Sequence, residues 1–294
     1  MSISLPFYRA PEQLPSPLPT LQDIEAATKE LPTIRNPDYD GRIVAIRDQY
    51  VVKYGTYVAE NEGQTLLFIE QHLRIPIPRL YAMYRHDGKL YLVMELIPGT
   101  ELRLLWPSLS AEDKRSIAEQ LRGIFDKLRS LPSPGYFGSI AKRPLRHRYF
   151  LERNNDPIIT GPFDREEDLS LALAKRSEQN WRDNGRHGWV SDFFARHLPT
   201  SLKGHQPTFT HSDLHPQNIL IREVVNAGSQ DASYEVSAIV DWETAGWYPA
   251  YWEYAAAFAL FQWVDDWPLF FEKFIDPWPL EASMLKFVHQ DLEF

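Results

Sequence analysis

Between residues 209 and 221 an apolar strand, a polar loop and a second apolar strand follow one another. The loop reads His211-Ser212-Asp213-Leu214-His215-Pro216-Gln217-Asn218. Polar loops held on rigid edges are where catalytic groups tend to sit. A second carboxylate, Asp241, ends the apolar run Ala238-Ile239-Val240, so its side chain emerges where that strand stops. Two strand-end acids and an amide suit phosphoryl transfer, in which the protein orients a nucleophile and holds metal ions against phosphate oxygens and does no covalent chemistry itself. In that chemistry Asp213 accepts or orients the proton of a substrate hydroxyl. Asn218 offers a neutral carbonyl oxygen and Asp241 a carboxylate, a pair fitted to a hard cation such as Mg²⁺. His211 is better placed to brace the loop backbone.

A different chemistry has to be weighed against this one. His211, Asp213 and His215 alternate, and on a continuous strand they would share a face and resemble a two-histidine, one-carboxylate iron site. Pro216 follows them directly and breaks such a strand. Asp213 by itself also fits a local turn, since short polar side chains bond their own backbone. Its company with Asn218 and Asp241 is what turns the reading toward catalysis.

The complementary charge lies upstream. On the strand 50–54, Val51 and Lys53 share a face by period two, so Lys53 points inward beside an apolar neighbour. In the helical pattern that follows, Glu62 falls on the stripe of Leu66, Ile69 and Leu73, whereas Glu60 shares the other face with Gln64. An unpaired buried charge is costly, so an ion pair between Lys53 and Glu62 resolves both. Lys53 is then free to reach the phosphates of a nucleotide.

These groups need scaffolding. With 294 residues, 44% hydrophobic and 24% charged, the chain has the composition of one large or two coupled globular domains. The proline-rich stretch 1–20 reads as an extended arm and 21–31 as a short amphipathic helix. A strand pair is expected over 42–54 after the Asp40-Gly41 turn, a helix over 58–73, and strands over 79–85 and 89–96 around Asp87-Gly88. Downstream the pattern is mainly helical (111–131, 166–180, 190–198), interrupted by strands over 208–213, 219–225 and 234–240 with a Gly228-Ser229 turn. Aromatic helices follow from 251. Trp252, Ala256, Leu260 and Trp263 recur at helical spacing, and about two-thirds of the aromatics after residue 246 are expected in the core.

Several function classes are excluded. No cysteine is present, which removes thiolate nucleophiles, thiolate metal sites and disulfides. A net charge of −9 argues against a nucleic-acid partner, which would call for clustered Lys and Arg. No apolar run approaches the roughly 20 residues that span a bilayer, and the N-terminus has no signal-peptide pattern, so a cytoplasmic location and a small-molecule partner are expected. Nothing in the sequence sets an oligomeric state.

Lys53, Glu62, the His-x-Asp-x-x-x-x-Asn loop and the strand-end Asp241 occur in kinase order. The wording His-Ser-Asp-Leu-His-Pro-Gln-Asn-Ile-Leu, then Ile-Val-Asp-Trp-Glu-x-Ala-Gly, resembles the aminoglycoside phosphotransferase and choline kinase superfamily over roughly residues 40 to 260. Val52-Lys53-Tyr54-Gly55, Met94-Glu95 with Gly99, and 241–243 through Pro249 and Glu253 are similar to its fungal members. The resemblance implies an α+β, protein-kinase-like two-lobed fold. A small β-rich N-lobe (1–97) would carry one key helix, a larger mainly helical C-lobe (98–294) would follow, and ATP would bind in the cleft. It also implies a hinge at 95–98, with the backbone of Glu95 and Ile97 offered to adenine, and ATP with Mg²⁺ as cofactors. The expected activity is transfer of a phosphoryl group from ATP to a hydroxyl of a small metabolite. The rivals are a kinase-like nucleotide-binding module without transfer, and an enzyme turning the same pocket to other metabolite chemistry. No Gly-x-Gly-x-x-Gly precedes Lys53, and Asp40-Gly41 is the glycine-bearing turn available to cover phosphates. No Ala-Pro-Glu follows Asp241, which argues against a protein kinase.

Overall fold

The computed structural model describes residues 4–31, 41–225, 232–261 and 263–293. Asp40 and the Gly228-Ser229 turn lie outside them. In chain order the elements are β1 (Phe7–Tyr8), α1 (Leu21–Glu25), β2 (Gly41–Ile46), β3 (Tyr50–Gly55), α2 (Glu60–His72), β4 (Leu80–His86) and β5 (Lys89–Glu95). Next come β6 (Thr100–Glu101), α3 (Leu102–Leu105), α4 (Ala111–Arg129), α5 (Pro157–Thr160), α6 (Glu166–Asp183), α7 (Trp189–Ser201) and β7 (Pro207–Thr210). The last are β8 (Ile219–Val225), β9 (Ala232–Ile239), β10 (Gly246–Pro249), α8 (Trp252–Leu260), α9 (Trp267–Phe274) and α10 (Pro279–Leu292). They form two units, Met1–Leu105 with Ile219–Glu243, and Trp106–Asn218 with Thr244–Phe294.

The first unit is built on an antiparallel sheet ordered β1-β4-β5-β3-β2. Alternation along β3 sends Val52 and Tyr54 into a core with Ile24, Val44, Tyr81 and Tyr91, against which Leu14, Leu18 and Leu21 of the N-terminal arm pack. Val51 and Lys53 therefore take the opposite face. Tyr54, Tyr91, Tyr84 and Tyr8 stack in succession at 5.0, 5.2 and 5.6 Å across the strands, the cross-strand aromatic pairing that pins register. The arm is tied down by Arg9, which pairs with Glu70 and donates to the Leu80 carbonyl, and by the Tyr50 hydroxyl, which donates to the Ser16 carbonyl. The helix expected over 21–31 is one turn and a half long. Thr20 and Asp23 cap its start reciprocally, but from Lys29 the backbone bonds to β2 instead, Leu31 N–H to Ile43 O at 2.9 Å and Ala45 N–H to Lys29 O at 2.9 Å. Edge pairing with a strand has displaced helical bonding there.

Helix α2 approaches the sheet closely because residue 63 is glycine, where a Cβ would come within 2.7 Å of Met83 Sδ and 3.3 Å of Leu80 and Leu92. A mid-helix glycine costs roughly 0.5–1 kcal/mol in freedom lost on folding. The contact it permits brings Glu62, its neighbour, down to the level of Lys53. The unit is completed by the sheet β6-β8-β9, whose strand β9 runs to Ile239, just before Asp241. Ile239 N–H is fixed on Pro76 O at 3.0 Å.

The second unit is mainly helical, with a two-stranded antiparallel sheet of β7 and β10 at its centre. Gly246 on β10 lets the backbone of Gly138 approach, and a Cβ there would meet Gly138 O at 2.8 Å. Phe209, Leu214, Tyr248, Tyr251 and Trp252 fill the core around this sheet. The strand expected over 208–213 stops at Thr210, because the next N–H groups turn away to a carboxylate described below. The helical periodicity carried through Trp263 also ends early, at Leu260. Trp247, Tyr248, Tyr251, Trp252 and Trp267 are buried as expected, whereas Trp263 and Trp278 are only partly so.

Candidate active site

In the first unit the expected ion pair is present. Lys53 Nζ lies 2.7 Å from Glu62 Oε2, and both residues are 3% exposed. The same ammonium is also 2.6 Å from Asp241 Oδ1 and 3.0 Å from Glu243 Oε2. Glu243 is a residue the sequence reading did not place in the site. The signal for it was its position two residues beyond Asp241, close enough for a tight turn after the strand to bring both carboxylates together. The turn Trp242–Thr244 does this, with Trp242 Nε1 donating to Ile239 O at 2.8 Å and Asn61 Nδ2 to Glu243 O at 3.0 Å. Asp241 adopts φ 63°, the left-handed region that costs a non-glycine residue about 1–2 kcal/mol.

Three carboxylates on one ammonium leave an excess of negative charge. Burial pushes the Glu62 carboxyl up to about 7; Lys53 opposes the rise, and Asp241 and Glu243 add to it. One oxygen from each of Glu62, Asp241 and Glu243 lies within 4.8 Å of the others, the one group of three potential metal-ligating side chains of this kind among the described residues. All are hard oxygen donors of the kind Mg²⁺ takes, but the Lys53 ammonium, 2.7, 2.6 and 3.0 Å from Glu62, Asp241 and Glu243, already engages all three. The alternating His211, Asp213 and His215 do not form such a group.

Glu95 closes β5, its N–H bonded to Arg79 O at 2.9 Å and its carboxylate accepting the Arg79 N–H at 3.2 Å. Leu96 N–H bonds Gln49 O at 3.0 Å. Ile97 makes no backbone hydrogen bond among the described residues.

In the second unit the loop after β7 is strapped from below. Glu253, in the first turn of α8 and 2% exposed, accepts the N–H of His211 at 2.7 Å and of Ser212 at 3.0 Å. Burial pushes its carboxyl up to about 7 against the pull of those two bonds. Ser212 takes φ 71° and its hydroxyl accepts from Trp252 Nε1 at 3.0 Å. This left-handed residue turns the chain so that Asp213 leaves the strand direction. Thr244 Oγ1 donates to His211 O at 3.0 Å, and Asp213 N–H donates to His211 Nδ1 at 3.3 Å. His211 thus braces the loop.

A single 3₁₀ turn, Pro216–Asn218, brings Asn218 back to Asp213, and Asn218 Nδ2 donates to Asp213 O at 2.9 Å and Oδ2 at 3.3 Å. With the amide nitrogen so occupied, Asn218 Oδ1 is the atom left to ligate a cation. His215 accepts the Gln217 N–H on Nδ1 at 3.3 Å, which places the proton of the neutral ring on Nε2, 3.8 Å from Asp213 Oδ2. Burial alone would push the Asp213 carboxyl up, but His215 and His211 outweigh it and hold it below the usual value. Asp213 is therefore ionised at neutral pH, the state that accepts a proton.

The sequence model of the phosphotransferase enzyme family matches residues 35–283, and the chain belongs to that family. Among solved structures, ADP-bound aminoglycoside phosphotransferase APH(2'')-Ib superposes with a TM-score of 0.57 at 15% identity, covering 90% of this chain and 79% of that one. The streptomycin-ATP-APH(2'')-IIa ternary complex gives 0.53 at 16% identity, with 92% and 82% covered. The gentamicin-APH(2'')-IIa complex gives 0.55 at 14%, with 89% and 80% covered. The fold is thus the α+β, protein-kinase-like one, with a β-rich N-terminal part and a helical C-terminal part. No curated protein matches. No helix among the described residues is long and apolar enough to cross a membrane.

Proposed function

We propose that the protein is a cytoplasmic ATP-dependent phosphotransferase acting on a hydroxyl group of a small molecule. The observation that carries the reading is the Lys53 ammonium held between buried Glu62 and strand-end Asp241, in a chain of the phosphotransferase family. The ADP and ATP complexes of the structural neighbours support the choice of nucleotide.

Each residue then has a part. Ionised Asp213 takes the proton of the acceptor hydroxyl, whose oxygen bonds to the γ-phosphorus as the bond to the ADP oxygen breaks. Lys53, steadied by Glu62, neutralises phosphate charge, and the backbone of Glu95 and Ile97 receives adenine. Asn218 and Asp241 would hold Mg²⁺, which when bound supplies further neutralisation of the phosphates. Glu253 and His211 keep the loop in its turned form so that Asp213 is presented without reorganisation.

The test is product mass. Incubation with Mg-ATP and a panel of alcohols should give an acceptor heavier by one phosphoryl group together with stoichiometric ADP. An isomer or adduct without phosphate would assign the pocket to other chemistry. Mg-ATP at ~100 times its Kd should also stabilise the fold by about 2.7 kcal/mol. A protein stabilised in this way that phosphorylates no acceptor is a nucleotide-binding module.

A further inference from the structure

The helical unit holds one cation that neither its packing nor the transfer chemistry uses. Arg146 is half-buried, and it is the one Lys or Arg in that condition whose side chain makes neither hydrogen bond nor ion pair among the described residues. Arg115, Arg153, Arg196 and Lys203, likewise without such partners, are all exposed. A guanidinium partly out of water cannot shed its charge, and its fork of N–H groups matches the two oxygens of a carboxylate.

Its neighbours fix its place. Leu145 donates its N–H to Thr160 O at 2.9 Å, and His147 is 2% exposed with its ring edge-on to Trp252 at 5.2 Å. Trp252 in turn donates to the Ser212 hydroxyl. The Tyr248 hydroxyl donates to Thr244 O at 2.8 Å and also meets Ser212 and the His147 backbone. Burial pushes that hydroxyl up, and the Arg146 charge opposes the rise. Arg146 therefore lies close to Ser212, one residue before the proton-accepting Asp213. The acids of this region are engaged elsewhere: Asn218 and His215 hold Asp213, and Glu253 takes the N–H groups of His211 and Ser212. When Asp213 takes the acceptor's proton it loses its charge, whereas Arg146 keeps its own. The balance of the two then shifts toward positive charge, which favours an anion beside them.

We infer that Arg146 binds a carboxylate of the acceptor, so that the substrate is a hydroxy acid seated on Arg146 while its hydroxyl meets Asp213. This deepens the phosphotransferase reading and rests on it. It sets the substrate class apart from gentamicin and streptomycin, the cations found in the complexes of the structural neighbours.

The probes are two sets of acceptors matched in skeleton and different in charge: 4-hydroxyphenylacetate, tyrosol and tyramine, and 3-hydroxypropanoate, 1,3-propanediol and 3-amino-1-propanol. Binding is read as a shift of the unfolding midpoint, and turnover as ADP release with Mg-ATP. In at least one set the wild type should favour the acid over the alcohol and the amine. Arg146→Gln should cut kcat/KM for that acid by about 10- to 100-fold, through KM more than kcat, the loss of one charge-assisted pair. Arg146→Lys keeps a cation and should recover part of that loss, which separates the site from a failure to fold. Preference for the alcohol or the amine in both sets, or no acid bound in either, overturns the carboxylate site. Equal losses on acid, alcohol and amine in Arg146→Gln overturn it as well, and place Arg146 on the transferred phosphoryl group or in the scaffold. ADP release with alcohols or amines and never with acids overturns the site and leaves the phosphotransferase reading standing. Acid binding that depends on Arg146, with no ADP release from any acceptor, supports the site and overturns the phosphotransferase reading.

Discussion

Lys53 and Asp213 are held by opposite means. Lys53 sits among three carboxylates within 3.0 Å, a position fixed almost wholly by charge. Asp213 is placed by its backbone: a left-handed Ser212, two N–H groups strapped to Glu253, and the amide of Asn218. The first arrangement can be redistributed by any new charge, because ammonium and carboxylates exchange partners without moving the chain. The second cannot relax without breaking several hydrogen bonds together. A group that must meet a variable load of phosphate and metal charge is better suited to the first; a base that must be aimed is better suited to the second.

The comparison can be broken most sharply at Asp213 itself. Asp213→Asn should lower the ADP-release rate with an acceptor by about 10³-fold, within the range for loss of a general base, while the thermal shift with Mg-ATP persists. A loss below tenfold would place the base elsewhere. On the other side, Lys53→Met leaves buried Glu62 and its two neighbours uncompensated, and urea unfolding should show a loss of about 3–5 kcal/mol. Adding Glu62→Leu should recover part of that loss, since removing both partners costs less than stranding one. If Lys53→Met unfolds at the wild-type midpoint, charge does not hold that site.

Smaller changes sharpen the contrast. Glu253→Gln presents one acceptor oxygen where two N–H groups need one each, so stability should fall by about 1–3 kcal/mol and turnover with it, while nucleotide affinity stays. The pH dependence is gentler still. The Glu253 carboxyl lies near 7 in the fold against an ordinary 4.5. Between those values the folded protein keeps a proton that the unfolded chain has lost, and stability falls as pH rises, by at most about 1.4 kcal/mol per unit. Urea midpoints across this window should decline in the wild type and decline less in Glu253→Gln. Glu62, also near 7, contributes with the same sign.

Much of this site was legible without coordinates. Lys53 faced inward by strand alternation, Glu62 lay on a helical stripe, and Asp241 ended an apolar strand, all of which depend on local periodicity. Glu253 was legible only as part of the family resemblance and not by its task, because the N–H groups it takes lie 41 and 42 residues earlier in the chain. Trp263 was misjudged for a related reason: its spacing from Trp252, Ala256 and Leu260 is helical, and nothing in a periodic pattern records that α8 stops at Leu260.

What the sequence by itself determined was the set of chemical groups and the element each rides on, since residue type and period two or 3.6 are properties of neighbours along the chain. What only the tertiary structure decided was which charges share a partner. Glu243 joined Lys53 because a 3₁₀ turn after β9 aimed it there, and Asp266 was neutralised because Lys114, 152 residues away, packs over Trp106. Such pairings follow from how distant elements pack, and no local pattern encodes them.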